Sequence, residues 1–292
     1  LSKECDYLIT LGLTTWNEHP ALIHNEDRPV TLSEYSAYFP TVELDTFFYG
    51  IPRISTVENW QAQVPESFQF VVKANKVLTL HEQNDIQHIN LTFHNFLESL
   101  QPLIDKNQLK TVLFQFPPYF TLNKKSTNYL RYLRQKLPNI SISLEFRHKS
   151  WYNDTKKLVN FCRELGFTLV IADEPSRLDS SVPFLPVITN PDLTFFRLHG
   201  RNIEGWENPG KNWRAKRTLY RYSDDELLEL KQVIQKLQSD TKEICVIFNN
   251  NSGKDAAPNA LKLQEFLNIT FDNLGCIIFR TDNVKFFCIT VL

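Results

Sequence analysis

The feature that most constrains the fold is a series of short apolar, β-branched and aromatic segments, separated by stretches with helical periodicity. Eight such strand candidates occur along the chain, at residues 7–13, 41–47, 68–75, 111–118, 141–148, 168–175, 194–201 and 243–250. Strands that alternate with helices are typical of a parallel sheet, because a parallel connection requires a crossover. Eight of them in a chain of 292 residues predict a single α/β domain, a somewhat irregular (β/α)8 TIM barrel.

The intervening segments predict the helices that surround the barrel. Helical periodicity covers residues 31–39, 55–64, 86–104, 126–137, 155–165, 223–237 and 256–267. Ser55 and Glu58 have the spacing of a capping box. An open, doubly wound sheet is the main alternative, but no GxGxxG sequence follows the first strand. We expect one domain over residues 1–292, with a barrel core at about 7–268 and a C-terminal extension at 269–292.

Composition and charge narrow the functional class. The net charge of -1 gives no global electrostatic attraction to nucleic acid. No run of eighteen apolar residues and no signal-peptide hydrophobic region occurs, so we expect a cytoplasmic protein without a membrane partner. The five cysteines are scattered, with no CxxC pair, which argues against a zinc knuckle or a disulfide framework. Cys162 and Cys245 are expected to be inert core thiols.

Polar residues stand at the carboxyl end of nearly every strand candidate, often two positions apart. In a TIM barrel these ends form the mouth that carries the active site, and residues two apart share one face of a strand. The candidate catalytic residues are Glu43, Lys73, Glu145, Asp173 and His199. The candidate substrate-binding residues are Trp16, Tyr49, Gln115, Arg147, Arg197, Arg201, Asn249 and Asn250.

These residue types suit an anionic, hydroxylated ligand. Arginine side chains bind phosphate or carboxylate through paired hydrogen bonds, and carboxylates serve as general acids and bases. Gly200 allows a close backbone approach to a ligand. The segment 249–260, which leads from the last strand into a helix, matches the usual phosphate site of such barrels. We therefore predict a phosphate-binding pocket.

Metal binding has less support, and no nucleotide cofactor motif is present. None of the seven histidines forms an HExxH or HxH pattern. An oxygen-rich divalent site could be assembled from Glu43, Glu145, Asp173 and His199, which would be the ligand types that such ions accept. A divalent metal cofactor is therefore a weaker hypothesis. His148 follows Arg147 directly and is expected to point away from the pocket, because alternation places Glu145 and Arg147 together.

A series of segments in fixed order resembles a known family. They are GLTTWN (12–17), TVELDTFFYGIP (41–52), FQFVVKA (68–74), LFQFPPYF (113–120), LEFRHKSW (144–151), ADEP (172–175), FFRLHGRN (195–202) and FNNNSGKDAAPNA (248–260). The series resembles the YecE-like family, a TIM-barrel family of unknown function. The resemblance implies a single barrel with a polar pocket at its mouth, and it implies no reaction. Members often carry Gly at the position of Thr15, so the local turn geometry is in question there.

Three functions remain open at this level. The leading hypothesis is an enzyme, a hydrolase, isomerase or lyase, that acts on a small phosphorylated or otherwise anionic, sugar-like substrate. The first alternative is a phosphoesterase or nuclease-like enzyme that depends on a divalent metal. The second is a non-catalytic protein that binds a ligand or nucleic acid, for which the sequence feature is the basic and aromatic segment 210–221.

Overall fold

The computed structural model of the chain describes residues 8–175, 178, 180–207, 213–275, 277–280 and 286–289. Nine parallel strands form the main sheet. They are β1 (Leu8–Thr14), β2 (Thr41–Leu44), β3 (Gln69–Lys73), β4 (Leu109–Gln115), β5 (Ile142–Glu145), β6 (Phe167–Leu169), β7 (Ile171–Asp173), β8 (Thr194–Leu198) and β9 (Glu243–Phe248).

The strand order closes the sheet into a barrel. It runs β6-β5-β4-β3-β2-β1-β9-β8-β7, so its two ends, β6 and β7, follow one another in the chain and are separated only by Val170. β6 pairs with β5, and β7 pairs with β8. The sixth predicted strand is therefore real but interrupted at Val170, and the predicted TIM barrel is confirmed.

Helices cover the outside of the barrel. They are α1 (Leu32–Tyr35), α2 (Thr46–Tyr49), α3 (Ile54–Gln61), α4 (Ile86–Asp105), α5 (Lys124–Lys136), α6 (Thr155–Glu164), α7 (Ile203–Glu207), α8 (Trp213–Arg217), α9 (Asp224–Gln238) and α10 (Ala256–Leu267). Apolar faces on α1–α6, α9 and α10 pack against the apolar outer face of the strands. In the described part of the chain, no helix has the length and apolar character needed to cross a membrane.

Two local predictions near the start of the chain are wrong. The second strand stops at Leu44 rather than at residue 47, because the chain turns at Asp45 into α2. The capping box between Ser55 and Glu58 is not formed, since α3 begins directly after Arg53. Ser55 thus lies inside the first turn, where its hydroxyl cannot cap the helix.

Alternation along the strands separates the interior of the barrel from its outer face. One cluster of buried side chains is contributed by the barrel strands and the residues beside them: Val71, Leu113, Val170, Leu193, Phe195, Cys245 and Ile247. The residues between these positions pack in the larger cluster that also includes the helices. Along a strand, the side chain two residues after an interior position also faces the interior. The mouth is therefore lined by Lys73, Gln115, Glu174, Arg197 and Asn249.

The chain ends in a separate antiparallel hairpin of β10 (Ile277–Arg280) and β11 (Phe286–Ile289). The segment before it lies against the barrel, where the backbone N–H of Gly275 donates to the carbonyl oxygen of Ser36 at 2.8 Å. Cys162 and Cys245 are buried free thiols, as predicted, and burial raises the pKa of each to about 12. The other three cysteines lie outside the residues whose side chains are described.

Candidate functional site at the barrel mouth

A fully buried arginine joins two glutamates across the mouth of the barrel. Arg197 donates from Nε and NH2 to the two carboxylate oxygens of Glu43, at 2.8 and 2.6 Å, and from NH1 to Glu145 at 2.5 Å. All three side chains have no solvent exposure. Burial raises the pKa of Glu43 although Arg197 opposes that shift. The two carboxylates therefore use the N–H donors of this guanidinium, and few remain to bind a substrate anion.

A second arginine, Arg147, contacts three functional groups of the site. Arg147 NH2 lies 2.6 Å from Glu145 and 3.1 Å from His199 Nε2, and NH1 bonds Glu174. Gln115 accepts from both arginines, at 3.2 Å from Arg197 and 3.4 Å from Arg147. Arg147 is only 12% exposed. One guanidinium thus binds two buried carboxylates, and its NH2 also lies beside the imidazole.

The two carboxylates that share Arg147 have pKa values shifted in opposite directions. Burial opposes ionisation of Glu145, but Arg147 and Arg197 outweigh it and hold its pKa well below the usual range. Burial dominates at Glu174 and raises its pKa to about 7, although Arg147 opposes the shift. A backbone N–H from Val182 bonds the other oxygen of Glu174 at 3.1 Å. Near neutral pH, one carboxylate is therefore anionic and the other is close to half protonated.

His199 is neutral at this site. Burial, followed by the neighbouring Arg147, lowers the pKa of the imidazole to about 3. The Asn249 amide nitrogen lies 2.8 Å from Nδ1, so Nδ1 accepts and the proton lies on Nε2. Nε2 then donates to Glu145 at 3.2 Å. A neutral imidazole in this state acts as a hydrogen-bond donor.

Glu145, Glu174 and His199 are the group of described side chains that could hold a metal ion, with donor atoms within 4.8 Å of one another. Of the four predicted ligands, only Glu145 and His199 belong to it, and Glu43 and Asp173 do not. The donor types fit a divalent cation. However, the Arg147 guanidinium already contacts all three. A metal ion would have to displace this cation before it could bind.

Asp173 belongs to a different network on the opposite face of its strand. Its carboxylate accepts from Arg201 Nε at 3.0 and 3.1 Å and from the Tyr222 hydroxyl at 2.6 Å. Burial raises the pKa of Asp173, with Arg201 opposing. Arg201 also bonds Glu226 at 3.2 Å. The side chains of Asp173 and Arg201 thus bind each other rather than Glu145, and Arg201 is neutralised locally.

The other predicted residues take structural or peripheral positions. Lys73 forms an ion pair with Asp45 at 3.2 Å. Asn250 is fully buried and donates to the Tyr220 carbonyl and to Asn259, both at 2.9 Å. Trp16 packs against Trp60, and Tyr49 is 62% exposed beside Phe48. His148 bonds Ser150 and points away from the pocket, as alternation predicted.

Gly200, which the sequence predicts to allow a close backbone approach to a ligand, lies against a neighbouring side chain. Gly200 has a φ of 89°, and a Cβ there would collide with Tyr220. Glycine is thus required by a neighbouring side chain rather than by a ligand. The basic segment 210–221 is only partly described: Lys211 and the side chain of Arg214 lie outside the described residues. Arg221 pairs with Asp255 at 3.6 Å. Nucleic-acid binding by this segment stays a prediction.

Thr15 carries backbone strain at the end of β1. Its φ is 60°, a left-handed conformation that is unfavourable for a β-branched residue. The hydroxyls of Thr14 and Thr15 are buried and have no hydrogen-bond partner. The position where relatives of the resembled family often carry glycine is thus one where this backbone favours glycine.

Sequence reasoning missed Glu174, because the interruption of its strand at Val170 is visible only in the folded structure. Val170 is interior, so alternation places Ala172 and Glu174 inside and Asp173 outside. Trp206 was also missed. It is 3% exposed and lies beside the guanidiniums of Arg147 and Arg217. No periodic pattern in the irregular segment after β8 indicates that Trp206 faces the mouth.

Comparisons with known proteins agree with the barrel. Residues 10–280 match the family model described as "Protein of unknown function DUF72". The chain is 39% identical over 279 residues to UPF0759 protein YunF of Bacillus subtilis (strain 168), covering 92% of this chain and 98% of that protein.

Two solved structures have the same architecture. A DUF72 family protein from Enterococcus faecalis V583 is 40% identical, with a TM-score of 0.88, covering 94% of this chain and all (100%) of that one. Another, from Thermotoga maritima MSB8, is 30% identical with a TM-score of 0.75, covering 90% of this chain and 100% of that one. These descriptions name no activity, substrate or ligand.

Proposed function

We propose that this chain, which belongs to the family of proteins of unknown function DUF72, is an acid–base enzyme with its active site at the barrel mouth. The substrate is a small anionic, hydroxylated compound, such as a phosphorylated sugar or a sugar acid. The reaction is a hydrolysis, an isomerisation or an elimination, since each of these needs a proton moved at one defined place.

One observation carries the proposal: two buried carboxylates share a guanidinium and have pKa values shifted in opposite directions. Glu145 is held anionic, while the pKa of Glu174 is raised to about 7. A side chain transfers protons best when its pKa lies near the working pH. Paired groups whose surroundings separate their pKa values are a recurring sign of acid and base assignments.

Each residue then has a distinct role. Glu174 donates or accepts the proton at the substrate. Glu145 stays anionic and holds Arg147 and His199 in place through bonds of 2.6 and 3.2 Å. Arg197 pairs with both Glu43 and Glu145, and these fully buried ion pairs fix the orientation of Glu145. His199 supplies a neutral N–H donor.

The charges at the site permit an anionic substrate. With Glu174 protonated, the two carboxylates Glu43 and Glu145 balance the two guanidiniums of Arg147 and Arg197. A substrate anion next to Arg147 is then not repelled by Glu174. The proton on Glu174 and the binding of an anion therefore support one another.

The experiment is a turnover screen of phosphorylated sugars and sugar acids with wild-type protein, Glu174→Gln and a control, Glu229→Gln. Glu229 is 70% exposed and lies at the edge of the Arg201 network. We expect the wild type and the control to share a pH–rate profile with a limb near pH 7. Glu174→Gln should lose about a hundred-fold or more in kcat, together with that limb. Unchanged turnover by Glu174→Gln on an identified substrate would refute the acid–base role.

A metal-dependent phosphoesterase is the second candidate, because Glu145, Glu174 and His199 have suitable donors within 4.8 Å. A bound ion would polarise a phosphoryl oxygen, and these three residues would hold it. Titration of the wild type with Mn²⁺ in a calorimeter separates the candidates. Saturable binding that is lost in His199→Ala favours the metal-dependent enzyme. An absence of binding favours the acid–base enzyme with Arg147 as the resident cation.

A further inference from the structure

The two short helices between β8 and α9 bring a tryptophan and an arginine over the mouth. α7 and α8 pack against each other, and a Cβ at Gly205 would collide with the carbonyl oxygen of Lys216. Glycine at this position thus permits the close approach of the two helices. Trp206 follows Gly205, and Arg217 follows Lys216, so the same close approach sets the positions of both side chains.

The indole N–H of Trp206 has no acceptor among the described residues. Trp206 is 3% exposed, and its Nε1 is buried without a hydrogen-bond partner in that part of the chain. An indole nitrogen can only donate, so nothing but an acceptor atom satisfies it. A buried donor without a partner costs about 1–3 kcal/mol. The fold retains this cost next to the proposed active site, where a bound acceptor would remove it.

Two guanidiniums face the same indole ring. The Cζ atom of Arg217 lies 4.4 Å from the ring centroid, and the Cζ atom of Arg147 lies 5.7 Å from it. The Nε of Arg147 is also buried and has no partner within the described residues. Burial, followed by repulsion from Arg147, lowers the pKa of Arg217. Positive charge and hydrogen-bond donors therefore converge around Trp206.

We propose that Trp206, Arg217 and the Nε side of Arg147 form a binding subsite for an oxyanion, the phosphoryl or carboxylate group of the substrate. The oxyanion accepts from the Trp206 N–H and from Arg147 and lies against Arg217. This subsite deepens the proposed function and rests on it for the word "substrate". Arg197 and Arg201, the other two arginines that the sequence predicts as ligands, are less suited because their Nε atoms already donate to Glu43 and Asp173.

The subsite also fixes where the substrate lies relative to Glu145 and Glu174. Arg147 bonds Glu174 through NH1 and Glu145 through NH2, which leaves its Nε for the anion. An oxyanion bound to this Nε is separated from both carboxylates only by the Arg147 guanidinium. The neighbouring carbon or bridging oxygen of the substrate is then within reach of Glu174, which transfers the proton.

Direct titration with inorganic phosphate, and separately with acetate, tests the subsite without any turnover. The readout is the ¹H–¹⁵N spectrum of the tryptophan indoles, in which the Trp206 signal is the one missing from Trp206→Phe. We expect the Trp206 indole signal to shift saturably with one of the two anions. Phosphate alone indicates a phosphoryl group, and acetate alone indicates a carboxylate. If neither anion shifts the signal, the proposal is overturned.

Variants then test each member of the subsite. Trp206→Phe keeps the ring and removes only the N–H, and we expect about a ten-fold weaker affinity measured by calorimetry. Arg217→Met should weaken binding at least as much. Arg201→Met is the matched control, since this arginine is bound to Asp173 and should leave affinity unchanged. Equal affinity in wild type and Trp206→Phe, or an equal loss in Arg201→Met, would contradict the proposal.

The subsite and the acid–base role can fail separately. Glu174→Gln removes the proposed acid but no donor of the subsite, so it should bind the anion as tightly as the wild type or more tightly. Loss of turnover in Glu174→Gln without any effect of Trp206→Phe on anion affinity would refute the subsite alone. Weaker anion binding by Trp206→Phe with full turnover by Glu174→Gln would refute the acid–base role alone.

Discussion

Replacement of Glu174 by Gln is expected to change how the stability of the protein depends on pH. The side chain is fully buried, and its pKa is raised from 4.5 to about 7, chiefly by burial. The folded protein then binds more protons at this group than the unfolded chain does between these two values. The free energy of unfolding contributed by Glu174 is present below about pH 4.5, falls through this window and is fully lost above about pH 7.

The magnitude follows from the size of the shift. Each unit of pKa difference corresponds to about 1.4 kcal/mol, so the shift from 4.5 to about 7 corresponds to about 3 kcal/mol. Glutamine does not titrate and does not show this loss. Relative to the wild type, Glu174→Gln should therefore gain about 3 kcal/mol of stability on going from about pH 5 to about pH 9.

The assay is urea unfolding followed by circular dichroism at a series of pH values, with the difference between variant and wild type plotted against pH. Glu145→Gln is the informative comparison, because the pKa of Glu145 is held well below its usual range. That variant should be destabilised by about 3–5 kcal/mol throughout neutral pH, since two buried guanidiniums lose a partner. A flat difference curve for Glu174→Gln would refute the raised pKa and the reasoning built on it.

Three further substitutions have defined outcomes. Thr15→Gly should raise the free energy of unfolding by about 1 kcal/mol in urea denaturation, because glycine adopts a φ of 60° without strain; a destabilised variant would show that the threonine side chain matters more than the backbone. Arg197→Met should lower the thermal midpoint strongly, equivalent to about 3–5 kcal/mol, since Glu43 and Glu145 lose a fully buried partner. Arg201→Met should cost less, about 1–3 kcal/mol, because Arg201 is 28% exposed although its partner Asp173 is only 3% exposed. Equal losses for the two arginines would contradict the difference in burial.

The fold and part of the site were predictable from local patterns. The rule that residues two apart share one face of a strand predicted Glu145 beside Arg147, and the structure brings the two side chains within 2.6 Å. It also separated His148 from this group. Such arguments use short sequence separations and need no tertiary information.

The remaining errors concern residues whose partners and burial depend on tertiary contacts. Asp173 was chosen over Glu174 because the face of an interrupted strand cannot be read from its last residues, where both neighbours are acidic. The sequence could not show that Arg197 binds Glu43, which lies 154 positions away. Arg197 was therefore predicted to bind an anion, although carboxylates already neutralise its guanidinium in the folded protein. Trp206 lies in an irregular segment, so its burial depends entirely on the packing of α7 and α8.

The central claim is that Glu174 and Glu145 are separated in pKa by their surroundings, and carbon-13 NMR of glutamate side-chain carboxyls tests it most directly. In protein labelled at the glutamate Cδ position, one buried signal should titrate with a midpoint of about 7 and disappear in Glu174→Gln. The signal lost in Glu145→Gln should stay at the chemical shift of the anion through the whole neutral range. A Glu174 signal that titrates near the ordinary value of 4.5 would contradict the account.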